Sequence, residues 1–208
     1  MENILFGDFM LTIGFAGGSG SGKGTASRIF EKFDIPSIDT DALYRELTSP
    51  GGRCLPYLIE CFGSSIIGKD GALDRLVLAE IVFNDERKRL ILNQITHKLV
   101  LEEVRRILDG FRKNNYAAVL VDAPLLFESG FDKECDLIIS VVADRDIRIK
   151  RIIERDNISA EHALRRIGSQ LSDDELKERS DFIIVNNGST EELEAQISEL
   201  AKKIIDKR

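Results

Sequence analysis

Nine residues near the amino end, Gly17-Gly-Ser-Gly-Ser-Gly-Lys-Gly-Thr25, carry the first legible chemistry of the chain. Glycine, four residues, glycine and then lysine is the spacing of a phosphate-binding loop. Glycines let the backbone turn successive N–H groups inward around phosphate oxygens, and Lys23 adds a point charge for the β- and γ-phosphates of a nucleoside triphosphate. The expected nucleotide contacts are Gly18, Ser19, Gly20, Ser21, Gly22, Lys23, Gly24 and Thr25. Gly24 departs from the commonest form, because a serine or threonine usually stands there as a Mg²⁺ ligand; Thr25 or intervening waters then complete the metal shell. The competing reading is a flexible Gly/Ser turn that binds nothing, and the order of strand, loop, lysine and helix argues against it.

Moving a phosphoryl group to a hydroxyl needs a carboxylate beside the acceptor and cations over the phosphate in flight. Asp41 follows the short β-favouring run Ile35–Ile38 at a loop-to-helix junction, where open α/β proteins bind ligands. The position equally suits a helix N-cap with Arg45 as its i,i+4 partner, and Asp39 shares the ambiguity. Arg148, Arg151 and Arg155 fall at i, i+3 and i+7 on one helical face, with Ile149, Ile152 and Ile153 as a separate, core-facing stripe. Those arginines are either a solvated face or a mobile lid that excludes water during transfer. Asp122 closes Val119-Leu-Val-Asp122, where a carboxylate can reach Mg²⁺ or its waters. Spacing alone gives neither His97, in mid-helix, nor His162, in a first helical turn, more than a structural role.

The elements that must position these groups follow from periodicity. Leu11–Ala16, Ile35–Ile38, Tyr116–Ala123, Asp136–Val142 and Phe182–Val185 predict strands, the longer ones so continuously apolar that they suit a parallel sheet covered on both faces. Helical patterns occupy Thr25–Phe33, most of Leu55–Lys113 with a break at Gly63–Gly71, Arg145–Asp156, Ser159–Leu171 and Glu191–Ile205. The alternation predicts a three-layer α/β fold with a mostly parallel central sheet. Its core takes in about residues 10–40, 114–145 and 172–208, its inserted helical subdomain about 41–113, and its helical lid about 146–171.

Composition narrows the class of ligand. With 29 Lys and Arg against 36 Asp and Glu among 208 residues, the net charge is −7, which disfavours broad binding to nucleic acid or anionic membrane but not a local anion site. No apolar run approaches the roughly 18 residues of a membrane span. Met1–Met10 carries Glu2 and Asp8 without Lys or Arg, unlike a secretory signal, and Met10 is an alternative start. Cys54, Cys61 and Cys135 fit no zinc spacing and read as reduced thiols. A soluble cytoplasmic protein, monomeric or weakly oligomeric, is expected.

Seven blocks in order go further than a generic phosphate loop. They are the loop itself, Ile38-Asp-Thr-Asp-Ala-Leu-Tyr-Arg45, Asp70-Gly-Ala-Leu-Asp-Arg75 and Asp122-Ala-Pro-Leu-Leu-Phe-Glu128, then Lys150-Arg-Ile-Ile-Glu-Arg-Asp156, Arg166-Ile-Gly-Ser-Gln170 and Ser180-Asp-Phe-Ile-Ile-Val-Asn-Asn-Gly188. From about Leu11 to Leu193 the chain resembles the dephospho-CoA kinases. The resemblance implies a P-loop kinase fold and ATP- and Mg²⁺-dependent phosphorylation of the ribose 3′-hydroxyl of dephospho-CoA. It implies Asp41 as the catalytic carboxylate and Lys23 and Arg151 as catalytic cations, with Arg155 as a second lid arginine and Asn187 and Gly188 packed on adenine. Asp41, Arg45, Arg75, His97 and Asp122 would serve the acceptor, and Thr25 and Asp122 the metal, directly or through water. Lys98 stands where the family has a proline after the histidine, and Thr40 and Gly24 are further departures. Two other readings stay open: a nucleoside or nucleotide kinase of the same fold, and a nucleotide-dependent switch, the latter without a guanine-reading Asn-Lys-x-Asp stretch.

Overall fold

A computed structural model describes residues 9–83 and 85–206, so the reading of Met1–Met10 lies outside the described residues except at its last two positions. The apolar runs become five strands: β1 (Leu11–Ala16), β2 (Ser37–Asp39), β3 (Ala118–Asp122), β4 (Leu137–Val142) and β5 (Phe182–Val185). They lie in the order β2-β3-β1-β4-β5, and the β1–β3, β1–β4 and β4–β5 pairs are parallel. All six residues of β1 are buried, as a central strand covered on both faces requires. The chain leaves β1 toward β2 on one side of the sheet, while β4 and β5 lie on the other. The reversal puts a ligand crevice at the carboxyl end of β1, where the glycine loop begins.

Nine helices follow among the described residues: α1 (Lys23–Glu31), α2 (Thr40–Leu47), α3 (Leu55–Phe62), α4 (Arg75–Phe83), α5 (Glu86–Lys113), α6 (Arg145–Asp156), α7 (Ala160–Gly168), α8 (Asp173–Glu178) and α9 (Thr190–Ile205). The chain forms two compact units, one running to Ile38 and resuming at Leu108, the other Asp39–Ile107. In the first, Phe15 of β1 meets Phe30 of α1 edge to face at 5.8 Å, and both are fully buried. The stripe Leu193, Ile197, Leu200, Ile204 brings α9 into the same core. The second unit has its own core, including Leu47, Cys54, Leu58, Ile66, Leu73 and Leu99. Its predicted break is a turn bounded by Gly63 and Gly71, both at positive φ (84° and 79°), closed by an antiparallel bridge between Ile67 and Leu73.

Helix α8 was not expected. Its signal was present in Ser172-Asp-Asp-Glu175: the Ser172 hydroxyl accepts from the Glu175 N–H while the Glu175 carboxylate accepts from the Ser172 N–H, a reciprocal cap. Among the described residues no helix is long and apolar enough to cross a membrane. The three cysteines are free. Burial raises the Cys54 thiol, and burial with the neighbouring Asp136 pushes Cys135 up to about 12, whereas Cys61 is exposed on α3. Iodoacetamide at pH 8 should therefore give one adduct in the native protein, at Cys61, and three in urea, as read by peptide mass.

Candidate active site

The loop begins where β1 ends and closes on the amino end of α1. Gly22, at φ +92°, is the residue before the helix, and Thr25 and Ala26 donate back to its carbonyl at 3.0 Å each. α1 thus starts at Lys23, with the positive end of its dipole at the loop. Lys23 Nζ pairs with Asp122 Oδ1. Their side chains are only 15% and 17% exposed, and the parallel register that sets Asp122 opposite Phe15 brings the carboxylate to the same sheet end. The pair places a cation and a carboxylate side by side where the loop meets the sheet.

The loop is also gripped from outside by its own unit. Asn186, directly after β5 and 6% exposed, donates from Nδ2 to the Ser21 carbonyl at 2.7 Å. Arg151 Nη1 donates to the carbonyls of Asn186 (3.0 Å) and Gly20 (3.4 Å). Arg148 Nε donates to the Ser19 carbonyl at 2.9 Å, and the Ser19 N–H donates to Gln170 Oε1 at 2.8 Å. Glycine is required where these neighbours come closest, because a Cβ on Gly22 would lie 2.0 Å from Asn186 Nδ2. At Gly24 a Cβ would meet nothing within 4 Å, so packing does not explain the departure there. The Pro124–Glu128 block ends beside the loop, lining with Gly17, Gly18 and Gln170 a cavity of about 120 Å³.

One expectation changes, and the local partners of Arg155 and of the two aspartates are fixed. The predicted single arginine face divides: Arg148 is 3% exposed and sits with Ile152 (0%) on the buried side of α6, while Ile149 and Ile153 are only half-buried. The reason is polar: the Ser19 carbonyl and the Asp173 carboxylate give Arg148 partners inside. Arg155 instead pairs with Asp156, which also takes Arg166 of α7; these arginines hold the Asp156 carboxyl down to about 2. The cap of α2 is Asp39, which accepts from the Ala42 N–H at 2.9 Å and lies 3.8 Å from Arg45. Asp41 is therefore neither cap nor the partner of Arg45, and it is exposed in the first turn of α2.

In the helical unit Arg75 donates to the Thr48 hydroxyl at 3.1 Å and lies over the Tyr44 ring at 4.9 Å, and His97 is half-buried on α5. Asn187 is exposed, its Oδ1 accepting from the Asp144 N–H at 2.8 Å, and Gly188 is exposed beside it. Thr25 Oγ1 lies 3.5 Å from Arg28 Nη2. Sequence reasoning missed Gln170, Asp173 and Asn186. Asn186 and Gln170 had a signal, lying in the Ser180–Gly188 and Arg166–Gln170 blocks, though neither block pointed to the loop; Asp173 had none beyond its place in the first turn of α8.

The family model for dephospho-CoA kinase matches residues 11–192. The chain belongs to the dephospho-CoA kinase family. It is 38% identical over 198 residues to the dephospho-CoA kinase of Bacillus cereus, covering 94% of this chain and 99% of the relative, and 35% identical over 198 residues to that of Corynebacterium glutamicum, covering 95% and 99%. Among solved structures, the dephospho-CoA kinase from Campylobacter jejuni superposes with a TM-score of 0.70 at 26% identity over 94% of this chain and 97% of that one. Shikimate kinase from Acinetobacter baumannii, at 16% identity and a TM-score of 0.54 over 96% and 95% of the two chains, shows the fold alone. The family is one of kinases, and its reaction is the final step of CoA biosynthesis.

Lys23→Ala should weaken Mg·ATP binding and turnover by about 10- to 100-fold each, the scale of a lost charged hydrogen bond, checked by titration and initial rates. Gly22→Ala should leave the protein folded by circular dichroism yet lower nucleotide affinity at least about tenfold, because a left-handed residue gains a Cβ against Asn186.

Proposed function

We propose that this chain transfers the γ-phosphoryl group of ATP to the ribose 3′-hydroxyl of dephospho-CoA, giving CoA and ADP. The observation that carries this reading is the extent of the family match, residues 11–192, which takes in the helical unit as well as the phosphate loop. A match confined to Gly17–Thr25 would say nothing about the acceptor.

In the reaction the acceptor oxygen forms a bond to the γ-phosphorus as the bond from that phosphorus to the β,γ-bridging oxygen breaks, and ADP leaves with the electron pair. Asp41, exposed at the start of α2, takes the hydroxyl proton. Lys23 moves from Asp122 onto the phosphate oxygens, joined by loop N–H groups other than those of Ser19, Ser21 and Thr25, which are paired within the protein. Arg151, already on the loop carbonyls, and Arg155 supply further positive charge, and Asn187 and Gly188 lie against adenine. Arg45, Arg75, His97 and Asp122 hold the acceptor. Thr25 and Asp122 suit Mg²⁺: one carboxylate and one hydroxyl are a sparse set, fitting an ion held mostly by phosphates and water. Among the described residues no cluster of three or more His, Cys, Asp or Glu offers an all-protein cage. When bound, the ion neutralises charge on the β- and γ-phosphates.

Incubation with Mg·ATP and dephospho-CoA, with adenosine and CMP as control acceptors, should add the mass of one phosphoryl group to dephospho-CoA alone. Transfer to a control acceptor instead would redirect the assignment to a nucleoside or nucleotide kinase. Asp41→Asn should keep ATP binding nearly intact while lowering kcat by about 10²- to 10⁴-fold, measured by steady-state rates and ADP titration.

A further inference from the structure

The mechanism above leaves one buried charge without a task. The Arg148 side chain is 4% exposed, and a guanidinium so placed persists only where its donors are matched. Two of them are: Nε by the Ser19 carbonyl at 2.9 Å and Nη1 by Asp173 Oδ1 at 2.8 Å. Nη2 is buried against Gly18 without a hydrogen-bond partner among the described residues. An ion pair buried with one donor unmet is a poor device for stability alone.

What Arg148 does accomplish is geometric. Ser19 has its carbonyl held by Arg148 and its N–H held by Gln170, so both polar groups of one loop residue are fixed from outside the loop. Gln170 and Asp173 flank the turn between α7 and α8, and Arg148 on α6 joins that turn to the loop. The approach is close enough to exclude side chains: a Cβ on Gly18 would lie 2.2 Å from Arg148 Nη2, and one on Gly20 would lie 2.6 Å from the Arg148 carbonyl oxygen. A planar fork reaches two acceptors at once, which a lysine ammonium does less well.

We propose that Arg148 is a positioning residue for the phosphate loop: with Asp173 and Gln170 it sets the Ser19 backbone before nucleotide arrives, so the ordering cost of the glycine-rich loop is met in folding and not at binding. The proposal rests on the reading of Gly17–Thr25 as the ATP site. Arg148 acts through the loop backbone, so its loss weakens nucleotide binding and leaves the acceptor and the chemical step alone.

The test uses Arg148→Met, Arg148→Lys, Asp173→Asn and Gln170→Leu in the full chain. The readouts are Mg·ADP affinity by calorimetry, KM for ATP and for dephospho-CoA, kcat at saturating ATP, and the urea midpoint. Arg148→Met should weaken Mg·ADP and raise KM for ATP by about 10- to 100-fold. KM for dephospho-CoA and kcat should stay within about threefold, a split that general loosening of the fold would not produce. Arg148→Lys should recover part of the affinity, and Asp173→Asn and Gln170→Leu should each lose about three- to tenfold. Wild-type Mg·ADP affinity in Arg148→Met overturns the proposal, whatever happens to the urea midpoint. If that variant does not fold, unchanged affinity in both Asp173→Asn and Gln170→Leu overturns it. The ADP arm does not use the acceptor, so a parent protein that binds Mg·ADP without phosphorylating dephospho-CoA refutes the assigned reaction and leaves this test readable. A parent protein that does not bind Mg·ADP refutes both.

Discussion

A loop of glycines can point several N–H groups at one anion only if something else holds its shape, and the nucleotide end of this protein is organised around that constraint. Five glycines in the eight residues Gly17–Gly24 give the backbone freedom that costs conformational entropy to remove. The restraint comes from three segments distant in sequence: Asn186 after β5, Arg148 and Arg151 on α6, and Gln170 after α7. Each takes a loop carbonyl or N–H as its partner, or, for Arg151, braces the loop and Asn186 together. The glycines thus serve twice, once for their backbone angles and once for the bare surface that lets these groups approach.

The electrostatics follow from the same assembly. β1 and β3 are parallel and in register, so the chain after β1 and the carboxylate ending β3 meet at one end of the sheet. Lys23 and Asp122 pair there with both side chains mostly out of water, where an unpaired charge is expensive. Further out, Arg155, Asp156 and Arg166 tie α6 to α7 at the surface, where ion pairs are weak and exchange readily.

The helical unit answers a different demand. Its core is built from residues of α2 to α5 and the turn between α3 and α4. Asp39 caps α2, and Asp41, two residues on, stands exposed in the first turn of the same helix.

Much of this was legible in the chain. Continuous apolar runs specified buried parallel strands, the glycine spacing specified an anion loop, and the ordered blocks from Leu11 to Leu193 specified the family, because period, backbone freedom and local capping are properties of neighbouring residues. Tertiary structure decided the rest. Arg148, Arg151 and Arg155 look alike by spacing, yet one is buried on the loop, one braces it and one faces solvent, because the loop carbonyls and Asp173 reach only part of that helical face. By spacing alone Asp39 and Asp41 competed for the cap of α2, and the Ala42 N–H goes to Asp39. Gln170, Asp173 and Asn186 had no motif of their own that named the loop as their partner; they lie more than 140 residues from it, and only the folding of β5, α6 and the α7–α8 turn onto one end of the sheet brings them within hydrogen-bond distance or, for Asp173, within reach of the arginine that holds it. Local pattern determines which elements form, and the partners of a buried polar group are settled by which elements arrive beside it.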